Sequence, residues 1–556
     1  MKYVVRDCEN CDGLNDISFS QCRACVKPNE SLDLIIYKNK LYTKQHYLKE
    51  NDFVVYPFFV DVLIKPISGK VLDTYYVRDA KVTILEQQGL LRSIYVIDIP
   101  KLDKNFAELK KLHEMYEKRD FSDESLKTWV KKLGILDYLL LDPHVQEINI
   151  NPPEFQTPFI IIHEKFEECQ TNIYPSIDFL DYLATYLKIT SGRPLNKAQP
   201  QLDGELFVEG QRARVEAVVQ PFSVHGIGYS IRKHRENPWT LSLFQKNKAV
   251  NDWFSGLMSF AVAHGRTFLV AGPRGSGKTS LLGAIILEIL PKYRIITIED
   301  TQELAVDKYK ALGYDLLSLK VRSALMKEGL EIPFEHGLRT SLRLGDSCLI
   351  LGEVRSEEAK ILYEAMRVGA MSMTVAGTIH ADNPYGVYDR LVNDLGVKKG
   401  SFKVTDLIVI VKQIKSASGL HRVRRVTQVT EVLKDWEEEP KFQDLLLYDP
   451  KTDSLKPTDV LLQGKSILIN EIISKSHGYK NYNSAIQDIL LRAWAKNEYL
   501  RLFGDNDQML EAEFTIRANV IYAELFDKIN PFESKTQEAQ FKKEFIAELE
   551  KFGKKQ

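Results

Sequence analysis

A glycine-rich stretch in the middle of the chain has residue types suited to binding a nucleotide phosphate. Gly272 is followed, after four residues, by Gly277, Lys278 and Thr279, and an apolar run over residues 267–271 precedes it. This spacing matches the phosphate-binding P-loop. Glycines allow backbone N–H groups to surround a phosphate, and the N-terminus of the next helix adds positive potential. A simple turn before a buried helix would explain the glycines but not a Gly-Lys-Thr triplet at this offset.

Two side chains of this loop have distinct expected roles. Lys278 is expected to reach the β- and γ-phosphates, and the Thr279 hydroxyl is expected to ligate Mg²⁺. The sequence therefore predicts ATP and magnesium as ligands. The residues expected to contact the nucleotide are Gly272, Pro273, Arg274, Gly275, Ser276, Gly277, Lys278, Thr279 and Ser280.

Further polar side chains follow three other apolar runs. Glu299 and Asp300 follow the first, Glu353 follows the second, and His380 follows the third. Ligands of open α/β sheets bind at the carboxyl ends of the strands, so these side chains are expected to face the loop. ATP hydrolysis needs a group that orients the attacking water and groups that complete the magnesium shell. Alone, His380 is more simply read as a structural histidine.

The elements that position these residues are predicted from alternating apolar segments. Strands and helices alternate from residue 267 to about 412, which indicates a parallel sheet covered on both faces. Two further segments resemble edge strands. The last 90 residues have a helical pattern in which Ile486, Ile489, Leu490, Ala493 and Trp494 form one apolar stripe. Candidate strands of the parallel sheet are 267–271, 294–298, 348–352, 374–378 and 407–412, and the edge strands are 423–434 and 445–448.

Length and composition place limits on the class of protein. A chain of 556 residues is expected to form more than one domain. Its net charge of −1 gives no support for wrapping nucleic acid. No apolar run reaches eighteen residues, and the first residues do not resemble a signal peptide. We therefore expect a cytoplasmic chain that is able to dock on a membrane protein.

Four cysteines form two C-x-x-C pairs near the start of the sequence: Cys8, Cys11, Cys22 and Cys25. In a reducing compartment such pairs are typical of a zinc ribbon, because each presents two thiolates to one tetrahedral ion. The gap between the pairs is short, so the ribbon would be compact. There are two alternatives: one redox-active pair with incidental cysteines, or the remnant of a site that no longer binds metal.

Together, these motifs resemble those of the secretion ATPase superfamily, which powers type II secretion, type IV pili and type IV secretion. In that family the P-loop is the Walker A motif, and Glu299-Asp300 corresponds to the aspartate box. Gly352-Glu353 corresponds to an atypical Walker B motif, and Thr378-Ile-His380 to the histidine box. The resemblance implies a RecA-like core.

The region before the core resembles the archaeal branch of this family, which assembles archaeal pili and archaella. The similarity rests on Arg193-Pro194, Asp203-Gly204, Arg212-x-Arg214 and Ser230-Ile-Arg232-Lys233. The zinc-like start lies outside the resemblance but occurs in some archaeal members.

The expected fold class is α/β with five parts in sequence. The RecA-like P-loop core with its parallel sheet is preceded by α+β regions and a small zinc-ribbon-like knuckle, and is followed by a helical C-terminal tail. The expected bounds are 1–30 for the knuckle, 31–135 for an α+β domain, 136–245 for a second α+β domain that closes over the nucleotide, 246–435 for the ATPase core and 436–556 for the helical region.

The resemblance also implies roles for individual residues. Glu353 would polarise the attacking water and join Thr279 in the magnesium site, while Glu299 and Asp300 would support both. His380 would report on the γ-phosphate. The N-terminal domain would supply arginines, for which the candidates are Arg212, Arg214 and Arg232, because arginine forks match phosphate oxygens. Alternatively, these arginines pair with carboxylates within a sheet.

The function implied is a homo-hexameric ATP-hydrolysing motor. Through an integral-membrane platform protein it would power the assembly of a type IV pilus-like filament, with its pilin-like machinery, or of a type II secretion machine. Such a motor would associate peripherally with the inner face of the cell membrane. A DNA-transfer or DNA-translocating ATPase of the same superfamily is one alternative, and an ATP-gated scaffold that does not hydrolyse ATP is another.

Overall fold

The fold was obtained as a computed structural model, in which the chain forms two compact units, residues 1–235 and residues 236–556. The residues that it describes are 34–37, 40–43, 54–56, 62–64, 67–99, 133–235, 237–300, 302–321, 334–341, 343–345, 347–355, 358–367, 373–419 and 421–554. The four N-terminal cysteines lie outside these residues, so the zinc ribbon stays a prediction. The finer division into five parts also stays a prediction.

The first unit is built mainly from strands. They are β1 (Leu34–Tyr37), β2 (Lys40–Thr43), β3 (Val54–Tyr56), β4 (Val62–Ile64), β5 (Lys70–Val77), β6 (Ala80–Glu86), β7 (Ser93–Asp98), β8 (Val145–Ile150), β9 (Ile160–His163), β10 (Glu167–Thr171), β11 (Ile173–Pro175), β12 (Gln201–Val208), β13 (Gln211–Val218) and β14 (Gly228–Lys233). Its helices are α1 (Ile135–Leu141) and α2 (Ile177–Ser191). The Ser176 side chain caps α2 by accepting a hydrogen bond from the Phe179 N–H.

Nine of these strands form one sheet in the order β12-β13-β14-β8-β9-β10-β7-β6-β5. Strand β13 alternates strictly between buried and half-buried residues, as a strand does when one face covers a core. Ala213, Val215 and Ala217 face that core, while Arg212 and Arg214 lie on the other face. The pleat of β13 therefore places its two arginines side by side, away from the core.

The described residues of the second unit form nine strands. They are β15 (Phe268–Ala271), β16 (Ile295–Glu299), β17 (Leu316–Lys320), β18 (Cys348–Leu351), β19 (Val375–Ile379), β20 (Leu407–Lys415), β21 (Arg422–Val432), β22 (Phe442–Asp449) and β23 (Ser454–Pro457). Its helices are α3 (Leu241–Lys246), α4 (Asp252–Ala263), α5 (Lys278–Ile286), α6 (Val306–Ala311), α7 (Phe334–Ser341), α8 (Glu358–Arg367), α9 (Pro384–Asp389), α10 (Lys399–Phe402), α11 (Asp459–Leu462), α12 (Ile467–Lys475), α13 (Tyr482–Phe503), α14 (Ala512–Ile529) and α15 (Lys535–Gly553). A π-helix, Arg390–Asp394, continues α9, and a 3-10 helix spans Asp507–Leu510.

These strands form a single sheet in the order β17-β16-β18-β19-β15-β20-β21-β22-β23. Pairing is parallel from β17 to β20 and antiparallel beyond β20. The five strands predicted for the parallel core are confirmed. The two segments predicted as edge strands form β21 and β22, but neither lies at the edge, because β21 pairs with β20 and β22, and β22 also pairs with β23. Strand β17 was missed, because an edge strand that is mostly half-buried lacks the continuous apolar run of its neighbours.

The C-terminal helices pack against the rest of the second unit, and one of the contacts is a buried ion pair. The Lys496 ammonium, on α13, donates hydrogen bonds to Glu288 Oε1 at 2.6 Å and to Asn519 Oδ1 at 2.6 Å. Glu288 lies just beyond α5, and its side chain and that of Lys496 are buried. Of the stripe predicted on α13, Ile489 and Ala493 are buried, but Leu490 is exposed, so that position was wrong.

A second contact, at the half-buried His264, is expected to make stability depend on pH. His264 Nε2 lies 2.8 Å from the Tyr479 hydroxyl, which donates to Asp488, and Arg492 also pairs with Asp488. Burial, aided by Arg492, lowers the pKa of His264 to about 4. The unfolded chain binds this proton near pH 6.5, so native stability is expected to fall as pH drops from about 6.5 towards 4, by about 3 kcal/mol in total.

The substitution His264→Phe tests this expectation because the ring contacts with Phe260 and Tyr479 are retained. The midpoint of thermal unfolding should decrease less in the variant than in the wild type between neutral pH and about pH 5. Equal decreases in both proteins would show that His264 does not carry the pH dependence.

In the part of the chain that the structure describes, every helix is too short or too polar to cross a bilayer.

Candidate active site

The glycine-rich loop connects β15 to α5 at the carboxyl edge of the parallel strands. Gly275 and Gly277 have φ values of 76° and 92°, a region that favours glycine. A Cβ atom on Gly272 would overlap the Val411 carbonyl oxygen, so a side chain has no room there. These features hold the loop backbone close to the sheet and leave the first N–H groups of α5 pointing out of its N-terminus.

The polar side chains of the loop are also placed to bind a phosphate. Ser276 is buried, and its Oγ atom has no hydrogen-bond partner. Lys278 is buried too, and its ammonium donates to the Pro273 carbonyl at 3.0 Å. An anion at the start of α5 would satisfy both groups together with the helix N-terminus. Pro273 and Arg274 are exposed, whereas Thr279 and Ser280 are half-buried.

Strand order brings the other predicted residues to the same edge. Because β19 is the neighbour of β15, His380 lies beside the loop, with Nδ1 3.2 Å from the Lys278 ammonium. Its Nε2 atom lies 3.2 Å from Glu353 Oε1. Lysine can only donate, so Nδ1 accepts and the Nε2–H group donates to Glu353. Burial, and then Lys278, lower the pKa of His380, which favours this neutral form.

Arg355 links the two acidic strand ends. Its guanidinium contacts Glu353 Oε2 at 2.6 Å and Asp300 Oδ2 at 3.2 Å. Both oxygens of Glu353 are therefore engaged, one by His380 and one by Arg355. Because one guanidinium bridges the two carboxylates, its positive charge offsets their mutual repulsion.

The third acidic residue, Glu299, forms hydrogen bonds with the backbone of the turn that follows it. Glu299 is buried, and its Oε1 atom accepts hydrogen bonds from the Glu303 and Leu304 N–H groups at 2.9 and 3.1 Å. These bonds fix the turn after β16, and that turn brings Glu303 Oε2 to 2.7 Å from the Thr279 hydroxyl. Thr279 and Glu303 together offer the hard oxygen ligands that magnesium prefers.

Glu299 in turn explains the glycine before Glu353. A Cβ atom on Gly352 would lie 2.8 Å from Glu299 Cγ and 3.2 Å from its Oε1. Gly352→Ala is therefore expected to displace Glu299, to destabilise the protein by about 1–3 kcal/mol and to reduce ATP turnover. Thermal unfolding, with turnover measured in parallel, checks this. Gly400→Ala is the matched control, since a Cβ there meets nothing within 4 Å; equal unfolding midpoints for the two variants would contradict the expectation.

The three arginines proposed for nucleotide contact lie on one face of the first unit's sheet. Arg214 and Arg232 are cross-strand neighbours, and Arg212 is two residues away on β13. Arg212 pairs with Glu205, and Arg214 makes a bidentate pair with Asp203 at 3.0 and 2.8 Å. The structure thus brings the three arginines together within this unit. Arg212 and Arg214 pair with carboxylates in the sheet, as the alternative interpretation predicted.

Sequence reasoning missed several residues around the loop. Glu303 could have been found, since it follows the Glu299-Asp300 pair closely on the same turn. Gln413 and Arg424, which both donate to the Gly275 carbonyl, carry no motif that marks them. Only the pairing of β20 with β21 brings them to the loop.

Comparison with known proteins gives a family match. The model of the family described as type II/IV secretion system protein matches residues 157–438. This range contains strands β12, β13 and β14, which include the three arginines, and strands β15 to β21 of the sheet that carries the loop.

Individual relatives are more distant. An uncharacterised protein of Methanocaldococcus jannaschii is 25% identical over 367 residues, which are 59% of this chain and 49% of that protein. A putative conjugal transfer protein of Mycobacterium tuberculosis is 33% identical over 212 residues, 38% of this chain and 58% of that protein. The chain therefore spans about half the length of these relatives. The solved ATPase DotB of Legionella pneumophila is 18% identical, covers 62% of this chain and 86% of its own, and has a TM-score of 0.38.

Proposed function

Because the chain belongs to the type II/IV secretion system protein family, within the secretion ATPase superfamily, we propose that it is an ATP-hydrolysing motor. One observation carries this proposal. His380 lies between the phosphate-binding Lys278 and the acid Glu353, at 3.2 Å from each. A phosphate ligand and a water-orienting carboxylate within one connected group are what phosphoryl transfer to water requires.

We assign the binding of substrate to the loop. Lys278, the Ser276 hydroxyl and the N–H groups at the start of α5 would hold the phosphates of ATP. The Thr279 hydroxyl would hold magnesium, with Glu303 in its shell. Glu353 is a weaker candidate for the metal, since both of its oxygens already have partners. When bound, magnesium would neutralise charge on the β- and γ-phosphate oxygens.

The remaining residues would prepare the attacking water. Glu353 orients it and accepts its proton, while Glu299 keeps the turn with Glu303 in place. Asp300 shares Arg355 with Glu353, so this arginine offsets the charge of both acids. His380 contacts Lys278 and Glu353 at once. Binding of a γ-phosphate by Lys278 would thereby be communicated to the group that holds the water.

Arg212, Arg214 and Arg232 remain candidates for a contact with the nucleotide. For Arg212 and Arg214, this role would require their pairs with Glu205 and Asp203 to open. Half-buried pairs of this kind exchange for a triphosphate at modest cost, because the arginine fork finds an equivalent set of oxygens.

We further propose that the motor is a homo-hexamer that acts on an integral-membrane platform protein from the inner face of the cell membrane. The work would drive a type IV pilus-like filament or a type II secretion machine. Structural zinc at Cys8, Cys11, Cys22 and Cys25 belongs to the same proposal, and C-x-x-C spacing supports it.

Phosphate release by the purified protein with ATP and magnesium tests the core of this proposal. Steady turnover is expected, whereas nucleotide binding without turnover would favour the ATP-gated scaffold. Deletion of the gene in its host, followed by inspection of surface filaments, tests the proposed cellular role. Capture of a multi-span membrane protein by the tagged chain would identify the platform.

A DNA-transfer ATPase is the second candidate, and the similarity to a putative conjugal transfer protein favours it. In that case DNA would stimulate turnover, and binding of DNA would weaken steeply with salt. The net charge of −1 gives no such expectation for the chain as a whole. Unchanged turnover over a range of DNA concentrations would set this candidate aside.

A further inference from the structure

The β20–β21 hairpin packs directly under the phosphate loop. The carbonyl of Gly275 accepts two hydrogen bonds from it, one from Gln413 Nε2 at 2.8 Å and one from Arg424 Nε at 3.2 Å. Gln413 and Arg424 are cross-strand neighbours in the β20–β21 register. The two donors therefore approach one loop carbonyl from adjacent strands.

The glycines of the loop fit closely against the same hairpin. An added Cβ on Gly272 would meet the carbonyl of Val411, on β20, and one on Gly275 would lie 3.3 Å from Gln413 Nε2. A Cβ on Gly277 would lie 3.6 Å from Arg424 Cδ. All three glycines of the motif thus border this hairpin, which is therefore a wall of the nucleotide site.

The orientation of the Gly275 carbonyl matters for anion binding. Glycine has no Cβ, so its peptide groups rotate easily, and Gly275 already has a φ of 76°. A rotated peptide would turn the carbonyl oxygen, with its partial negative charge, towards the site of the phosphates. The donors on the hairpin engage that oxygen and hold it away. A positively charged donor makes the stronger bond of the two.

We propose that Gln413 and Arg424 are positioning residues that hold the Gly275 carbonyl outward and so keep the phosphate loop in its anion-binding conformation. This inference rests on the proposed nucleotide binding and adds to it a part of the fold beyond the family motifs. The two side chains act through Gly275 rather than on the substrate.

Strand β21 contacts the Gly275 carbonyl through Arg424, and it also contacts the segment that precedes α4. Arg425, the residue after Arg424, is buried and makes a bidentate pair with Asp453 at 2.8 Å in both bonds. Its Nη1 atom also lies 3.4 Å from the Asn247 carbonyl, and the next N–H group, of Val426, donates to the Ala249 carbonyl at 2.8 Å. The strand that carries Arg424 is therefore anchored on its other side, which gives the guanidinium a fixed base.

Equilibrium binding of fluorescent ADP with magnesium to the full chain tests the proposal. Arg424→Ala is expected to weaken binding about five- to tenfold, and Arg424→Lys, which keeps a charged donor, less than threefold. Gln413→Glu has nearly the same shape but no N–H donor, so it should weaken binding at least as much as Arg424→Ala. In steady-state kinetics these variants should raise KM more than they lower kcat.

Lys415→Ala is the control, since it removes an equal charge from an exposed position on the same hairpin. Wild-type affinity is expected for it. Equal weakening in Lys415→Ala and Arg424→Ala would overturn the proposal in favour of a general effect of charge. Wild-type affinity in both Arg424→Ala and Gln413→Glu would overturn it as well. A wild-type protein that bound no nucleotide would instead overturn the proposed function, so the two failures are distinguishable.

Discussion

Glu353→Gln is expected to abolish ATP hydrolysis while ATP binding remains. The carboxylate is the only part of Glu353 that changes, and the amide has nearly the same size. A group that orients water and accepts its proton contributes on the order of 10²–10⁴-fold to a rate, so turnover should fall by at least about 100-fold. Phosphate release and equilibrium binding of ATP, measured on one preparation, check both halves of the expectation.

The contacts of Glu353 explain why binding should survive. Its carboxylate contacts His380 and Arg355 through different oxygens, and the single oxygen of an amide can still accept from one of these two donors. Lys278, Thr279 and the loop glycines lie on the other side of His380 and are unaltered. Asp252→Asn, at the start of α4 and in contact with Asn497 rather than with the loop, serves as a carboxylate-to-amide control and should leave turnover unchanged. Full turnover in Glu353→Gln would reject its catalytic role.

Lys278→Ala is expected to eliminate binding as well as hydrolysis. The ammonium is buried within the loop, and hydrogen bonds from a charged donor contribute about 1.5–3 kcal/mol each. Loss of two such bonds to phosphate oxygens corresponds to a decrease in affinity of at least about 100-fold. The variant also leaves His380 Nδ1 without its donor, which adds to the loss. Isothermal titration with ATP and magnesium measures the change.

Lys278→Arg separates charge from shape in this test. The guanidinium keeps the charge but is too large for the space beside Pro273 and His380. We expect it to bind ATP no better than Lys278→Ala. Unchanged affinity in Lys278→Ala, with normal folding by circular dichroism, would show that the loop does not bind the phosphates.

The core of the fold could be predicted because its strands are continuous apolar runs. Buried parallel strands such as β15, β16 and β18 have no exposed face, so each reads as a short apolar segment ending in a polar residue. The same rule identified Glu353 and His380, since parallel order brings strand ends together. Edge strand β17, with mostly half-buried residues, gave no such signal.

The rest of the site depends on contacts between segments distant in sequence. Gln413 and Arg424 reach Gly275 only through the register of β20 and β21, and that register contains a bulge. No local pattern encodes such a pairing. The partner of Thr279 was missed for a different reason: the turn that carries Glu303 is fixed by a buried carboxylate, Glu299, which resembled a second catalytic group in the sequence.

The ion pair between Lys496 and Glu288 makes the C-terminal helices inseparable from the part of the second unit that carries the glycine-rich loop. A shortened gene product that stopped before Tyr482 would expose the surface that α13 covers. It would also leave the Glu288 carboxylate without the Lys496 ammonium that pairs with it. Losing one member of a buried pair costs roughly 3–5 kcal/mol, a large part of what holds an ordinary domain together. Evolution therefore cannot replace these last helices independently of the rest of the unit. Changes in their sequence have to remain compatible with Glu288, just beyond the end of the helix that follows the glycine-rich loop.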